Sequence, residues 1–224
     1  MHPERISAQF FLYLYKPNAL AHTTLTTAAK AAPPDSGYDY HLVGLGSSTG
    51  GLQPLMTIIS GLPSNFRAAV IVVHHAPEDA PDELAQILQA VTALPVVEVE
   101  TARRILPGHI YLPAFGKPVR LLDHILTVGE RPAGQKPNRT IDSCFRSLAR
   151  EGGEKSICVI LSGSGYDGVE GAKAVESNGG LVIVQDPATA KFPLMPIALI
   201  ANDDPSYILE PQLISDRIAR QVGH

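Results

Sequence analysis

Six short apolar runs, at residues 41–45, 68–73, 96–99, 109–112, 157–161 and 181–184, are separated by segments whose apolar residues return with helical period. That alternation constrains the fold more than any other feature. Runs of Val and Ile this short read as strands buried on both faces and joined by crossover helices, which means βαβ units around a parallel sheet. Leu52, Leu55, Met56 and Ile59 fall at i, i+3, i+4 and i+7, as do Ile141, Cys144, Phe145 and Leu148. Each stripe is expected to pack on the core. Residues 119–122 and 125–128 flank Asp123-His124 and predict a small antiparallel hairpin inserted in the otherwise parallel sheet.

Ahead of the first run, residues 19–36 turn to Ala, Thr and Pro and lead into Gly37, a linker composition. The expected division is an N-terminal extension and linker over residues 1–37 and one α/β domain over 38–224. Apolar residues make up 45% of the 224 and charged residues 18%, enough for a packed core. A net charge of -4 gives no global attraction to nucleic acid or to an anionic membrane. The aromatic run Phe10-Phe11-Leu12-Tyr13-Leu14-Tyr15 is too short to span a bilayer and lacks a following cleavage pattern, so neither membrane insertion nor secretion is expected. Two cysteines, Cys144 and Cys158, both in apolar stretches, supply neither a disulfide framework nor a zinc site. A cytoplasmic location fits.

Val43-Gly44-Leu45-Gly46-Ser47-Ser48-Thr49-Gly50-Gly51 carries a strand through glycines into a helix stripe. Dinucleotide binding uses such a turn, but the third glycine of its fingerprint would fall at Thr49, and the acidic residue at the end of the second strand is replaced by His74-His75. A nucleophilic serine also uses it: small residues flank Ser48, leaving its hydroxyl free to project and backbone N–H groups free to meet a developing anion. Ser or Thr in this position more commonly caps the helix.

A serine hydroxyl needs a neighbouring base. Of eight histidines, only His74 and His75 leave a buried strand at the edge where Ser48 emerges. At that same edge Ser162-Gly163-Ser164-Gly165-Tyr166-Asp167-Gly168 leaves a third strand, and Asp167 is the acid that loop presents. Alone, Asp167 would be read as a cap for the following helix. Ser, His and Asp on three converging strand ends make the joint reading a catalytic triad, defined by roles rather than by order in the chain.

These residues resemble the catalytic domain of bacterial chemotaxis protein-glutamate methylesterases, over residues 41–222. The resemblance is carried by Gly46-Ser47-Ser48-Thr49-Gly50-Gly51, His75-Ala76-Pro77, Leu106-Pro107-Gly108-His109-Ile110-Tyr111, Arg139-Thr140-Ile141-Asp142, Gly163-Ser164-Gly165-Tyr166-Asp167-Gly168, and the stretch from Gln185 to Met195-Pro196. It implies a doubly wound, mainly parallel Rossmann-like sheet with helices on both faces. It also implies Ser48 as nucleophile, His75 as base and Asp167 as its orienter, with Thr49, Gly50, Ser164 and Gly165 around the oxyanion and substrate. The implied substrates are glutamate methyl esters, and some glutamines, on acidic helices of methyl-accepting chemotaxis receptors. No metal or organic cofactor is needed. Ser164 stands where the family often has methionine, and His74 where it commonly has glutamine.

No receiver domain of the family's usual kind is expected from the residues ahead of 38. Turnover without a phosphodonor is therefore expected, with any control supplied by a separate regulatory protein. Two other readings remain at this point: an esterase or amidase with a different substrate, and a non-catalytic scaffold that keeps the fold. Arg131, Lys136, Arg139, Arg146 and Arg150 stand near a single acid, Asp142. They form either a solvated helix face or a local basic surface for an acidic helical partner.

Overall fold

The computed structural model describes residues 37–76, 83–130 and 139–223, all within one compact unit, residues 33–224. The extension expected over residues 1–37 lies outside the described residues except for Gly37, as do Pro77, Arg131 and Lys136.

Seven strands form the main sheet: β1 (His41–Ser47), β2 (Ala68–His74), β3 (Val96–Val99), β5 (His109–Pro113), β8 (Ser156–Ile160), β9 (Leu181–Gln185) and β10 (Tyr207–Leu209). Their order is β10-β9-β8-β1-β2-β5-β3, with every pairing parallel. Alternate side chains of the strands enter two separate cores. Leu42, Ile71, Cys158 and Val182 point to one face, and Val43, Val70, Ile157 and Ile183 to the other. The first core is closed by α3 (Thr140–Gly152), α4 (Val169–Ser177) and α5 (Leu194–Asn202). The second is closed by α1 (Leu52–Ser60), α2 (Leu84–Gln89) and α6 (Pro211–Val222). Helices on both faces of a parallel sheet are the doubly wound arrangement, and the chain direction across the sheet reverses between β1 and β8.

The stripe Ile141, Cys144, Phe145 and Leu148 is fully buried. In α1 the stripe holds only in part: Leu55 and Ile59 are buried, but Leu52, in the first turn, is exposed. The hairpin is present, as β6 (Val119–Leu122) and β7 (Ile125–Val128), and Asp123 and His124 turn it with φ of 48° and 64°. It does not join the parallel sheet. It pairs instead with β4 (Ala102–Arg104) in a separate three-stranded antiparallel sheet that packs against α3. Strand β3 is an edge strand and only partly buried, not a central one. Strands β4 and β10 have three residues each and are largely exposed, so no apolar run announces them.

Gly44 and Gly46 face α3. A Cβ on Gly44 would lie 2.7 Å from Leu148 Cδ1 and Phe145 Cε1, and one on Gly46 would lie 2.6 Å from Ile141 Cγ2. The spacing that begins a dinucleotide fingerprint thus serves here to bring a helix onto the sheet.

Candidate active site

The carboxyl ends of the adjacent strands β8, β1 and β2 carry the three sequence-predicted groups. Register pairs Ser47 with His74 and Gly46 with both Val73 and Ile160, so the chain leaves all three strands at one level. Backbone hydrogen bonds tie the departing segments together: the Ser48 N–H donates to the Ser162 carbonyl at 3.0 Å and the His75 N–H to the Ser47 carbonyl at 2.9 Å.

Ser48 follows β1 and is 8% exposed. Neither it nor Thr49 caps α1, whose N-cap is Gly51 without a side-chain bond. The turn depends on Gly50, at φ 75°, where a Cβ would also meet Phe192 and the Ser162 hydroxyl at 2.8 and 2.9 Å. A Cβ on Gly163 would lie 2.9 Å from that of Ser48 and 2.0 Å from Met195 Sδ, so the two loops touch through a residue with no side chain. Gly163 is held in turn by the segment before α5. It donates to the Phe192 carbonyl at 2.9 Å and accepts from the Met195 N–H at 3.1 Å. Beside it the Gln185 amide oxygen accepts from the Ser162 N–H at 2.9 Å.

His75 and His74 separate as successive residues leaving a strand do. His74 Nδ1 lies 2.8 Å from the Ser47 hydroxyl, and its ring stands edge-on to Phe115. Burial, with a smaller contribution from neighbouring His75, pushes its pKa from 6.5 down to about 4. Such a group stays neutral near pH 7 and is a poor proton acceptor. His75 turns the other way, and its Nε2 lies 3.0 Å from Asp167 Oδ2 and 2.7 Å from Thr140 Oγ1.

Asp167 is 8% exposed. Its Oδ2 accepts from the Ile141 N–H at 2.9 Å and its Oδ1 from the Asp142 N–H at 3.0 Å. These are first-turn donors of α3. Asp167 therefore caps the preceding helix and not the following one, beside which it stands in the chain. Two N–H groups and the N-terminus of α3 hold the carboxylate in place, with Oδ2 facing His75 Nε2.

The Ser48 hydroxyl and His75 Nδ1 make no hydrogen bond among the described residues. With Nε2 facing the acid, Nδ1 is the ring atom left without a partner among the described residues. That is the reverse of the chymotrypsin-type triad, in which Nδ1 faces the aspartate. Thr49 and Ser164 join through their hydroxyls at 3.1 Å. The N–H groups of Thr49, Gly50, Ser164 and Gly165 donate to no partner among the described residues, leaving two loops with free donors on either side of Ser48.

Residues 43–218 match the CheB methylesterase family. The chain belongs to that family. A Leptospira interrogans protein with a provisional protein-glutamate methylesterase/protein-glutamine glutaminase name is 30% identical over 193 residues, 81% of this chain and 95% of that one. The protein-glutamate methylesterase/protein-glutamine glutaminase of Moorella thermoacetica is 35% identical over 166 residues, 71% of this chain and 39% of its own. The crystal structure of the Thermotoga maritima CheB methylesterase catalytic domain superposes with a TM-score of 0.75 at 29% identity. That match covers 83% of this chain and all of the other.

Within this CheB-family fold, two contributors were not singled out from sequence. Thr140 and Asp142 stood in a motif with no catalytic role attached, and both prove to lie in the first turn of α3, buried against the His75 and Asp167 groups. No helix among the described residues is long and apolar enough to cross a membrane.

Proposed function

We propose that this CheB-family chain hydrolyses glutamate methyl esters on chemotaxis receptors by acyl transfer to Ser48, and deamidates receptor glutamines with the same groups. The observation that carries the reading is the Asp167 Oδ2 to His75 Nε2 pair at 3.0 Å, placed beside Ser48 at three adjacent strand ends. Ser48 Oγ attacks the ester carbonyl as His75 Nδ1 takes its proton, while Asp167 holds the proton on Nε2 and steadies the imidazolium. The oxyanion that forms is met by N–H groups of the Thr49-Gly50 and Ser164-Gly165 loops. His75 then gives its proton to the leaving methoxide, releasing methanol, or to the leaving amide, releasing ammonia. Water, activated by the freed Nδ1, cleaves the acyl-serine to a glutamate carboxylate and restores Ser48.

The test is methanol release from a methylated chemoreceptor cytoplasmic fragment, run beside labelling with a fluorophosphonate. Both should occur with the wild-type chain and both should vanish in Ser48→Ala. Labelling without methanol release would move the substrate to another ester or amide, and absence of both would leave a scaffold.

A further inference from the structure

The arginines of α3 form one line. Arg139, Arg146 and Arg150, with Ser143 between them, recur at i, i+4, i+7 and i+11, so they share one helix face over about 16 Å. Beside this face runs β6, whose outward residues are Arg120 and Leu122, of which Arg120 lines the groove. The four arginines, Asp142, Ser143 and Glu170 line a groove of about 680 Å³. Its two acids are already engaged. Asp142 holds Arg139 at 2.9 Å and accepts from the N–H groups of Gly168 and Gly171, and Glu170 lies between Lys173 at 3.0 Å and Arg146 at 3.9 Å. Arg120 and Arg150 form no ion pair among the described residues. A protein of net charge -4 thus presents a cationic track.

The track leads to the chemistry. Its inner end, Arg139, directly precedes Thr140, which touches His75, and its guanidinium lies 5.3 Å from the ring centroid of Tyr166, the residue before Asp167. Tyr166 is 56% exposed. An exposed tyrosine stacked with arginine and followed by three more arginines has the residue types that dominate protein interfaces.

Resting on the function proposed above, we infer that this groove is the docking surface for an acidic α-helical segment of the substrate protein. The segment lies along α3, with glutamates opposite Arg146, Arg150 and Arg120, and its reacting side chain passes Tyr166 to reach Ser48. A helix is the matching shape because the cations follow a straight helical spacing. The occupant is protein rather than nucleic acid because the chain that docks must also carry the ester.

Two measurements test this separately from the function itself. The first is fluorescence anisotropy with a labelled helical peptide bearing glutamates at i, i+4, i+7 and i+11, its glutamine twin, and an RNA oligonucleotide. The acidic peptide should bind more tightly than either comparator, and Arg120→Glu/Arg150→Glu should weaken it by at least about tenfold, with the interaction fading as salt rises. Equal binding of the glutamine twin, unchanged binding by the double variant, or tighter binding of the RNA would each overturn the inference. The second compares kcat/KM for the methylated receptor fragment with that for p-nitrophenyl acetate, and the ratio should fall in the double variant. A wild-type chain that labels at Ser48 but leaves the receptor fragment methylated overturns the proposed substrate, while the peptide titration still decides the groove.

Discussion

Asp142 and Asp167 cap each other's helices. The Asp167 carboxylate accepts from the first N–H groups of α3, including that of Asp142, while Asp142 Oδ1 accepts from Gly168 at 3.0 Å and Gly171 at 2.8 Å at the start of α4. Each helix thereby fixes the carboxylate that completes the other, and the pair is closed by Arg139 on Asp142 Oδ2. Close contact permits it: a Cβ on Gly171 would lie 2.6 Å from Phe145 and 3.1 Å from the Asp142 backbone.

Removing Asp142 should therefore act at a distance on the reaction. Asp142→Ala leaves two N–H groups and Arg139 without their acceptor, which should cost about 3 kcal/mol of stability. Asp167 then loses the rigid helix start that orients it, so kcat should fall while KM for a small ester stays near its original value. Urea unfolding and steady-state kinetics on the same preparation check both. A stability loss with kcat intact would restrict Asp142 to a structural part.

How far the sequence exposed this arrangement depended on the kind of signal. Strand positions were legible because Val and Ile runs in β1, β2, β8 and β9 are buried on both faces, and the strand ends placed Ser48, His75 and Asp167 at one edge. The partner of each polar side chain was not legible. Asp167 stands immediately before α4 in the chain and, taken alone, would be read as that helix's cap, whereas its acceptor bonds close across 26 and 25 residues. Gly44 and Gly46 begin a dinucleotide fingerprint that the sequence does not complete, and their packing role was not legible because a missing side chain has the same signature whether a ligand or a helix occupies the space. The short strands β4 and β10 carried too little buried surface to print any pattern.

His75 should rest as the Nε2–H tautomer, since a carboxylate oxygen of Asp167 faces that nitrogen at 3.0 Å. Nitrogen-15 NMR of the resting protein should show the protonated nitrogen as Nε2 and the bare one as Nδ1. Thr140 Oγ1, at 2.7 Å, shares in fixing that ring. Thr140→Val should lower kcat by about tenfold, the worth of one hydrogen bond of ~1.4 kcal/mol, and Thr140→Ser should restore it. An unchanged kcat in the valine variant would remove Thr140 from the positioning of His75.

Two glycines should respond differently to a single methyl group. Gly44→Ala pushes into Leu148 and Phe145 and should destabilise the fold by about 1 to 3 kcal/mol, as overpacking does. The folded protein should still react with a fluorophosphonate at the original rate. Gly163→Ala meets Met195 and the Ser48 Cβ instead, so its labelling rate should drop by more than its stability accounts for. Equal labelling rates in the two variants would show that the Ser48 turn tolerates displacement of the neighbouring loop.

The last prediction concerns pH, and it follows from His74. Burial and the neighbouring His75 lower its pKa from 6.5 to about 4 in the folded chain. The unfolded chain therefore binds the proton more readily. The neutral, Ser47-bonded ring contributes stability that is fully present above pH 6.5 and is lost as pH falls from there towards 4. At the low end of that window the loss should reach about 3 kcal/mol. His74→Gln keeps a polar group for the Ser47 hydroxyl and has no proton to gain, so its melting temperature should fall less steeply between pH 6.5 and pH 4 than that of the wild type. Calorimetry of both proteins across that range provides the comparison, and parallel pH profiles would show that another group controls acid stability.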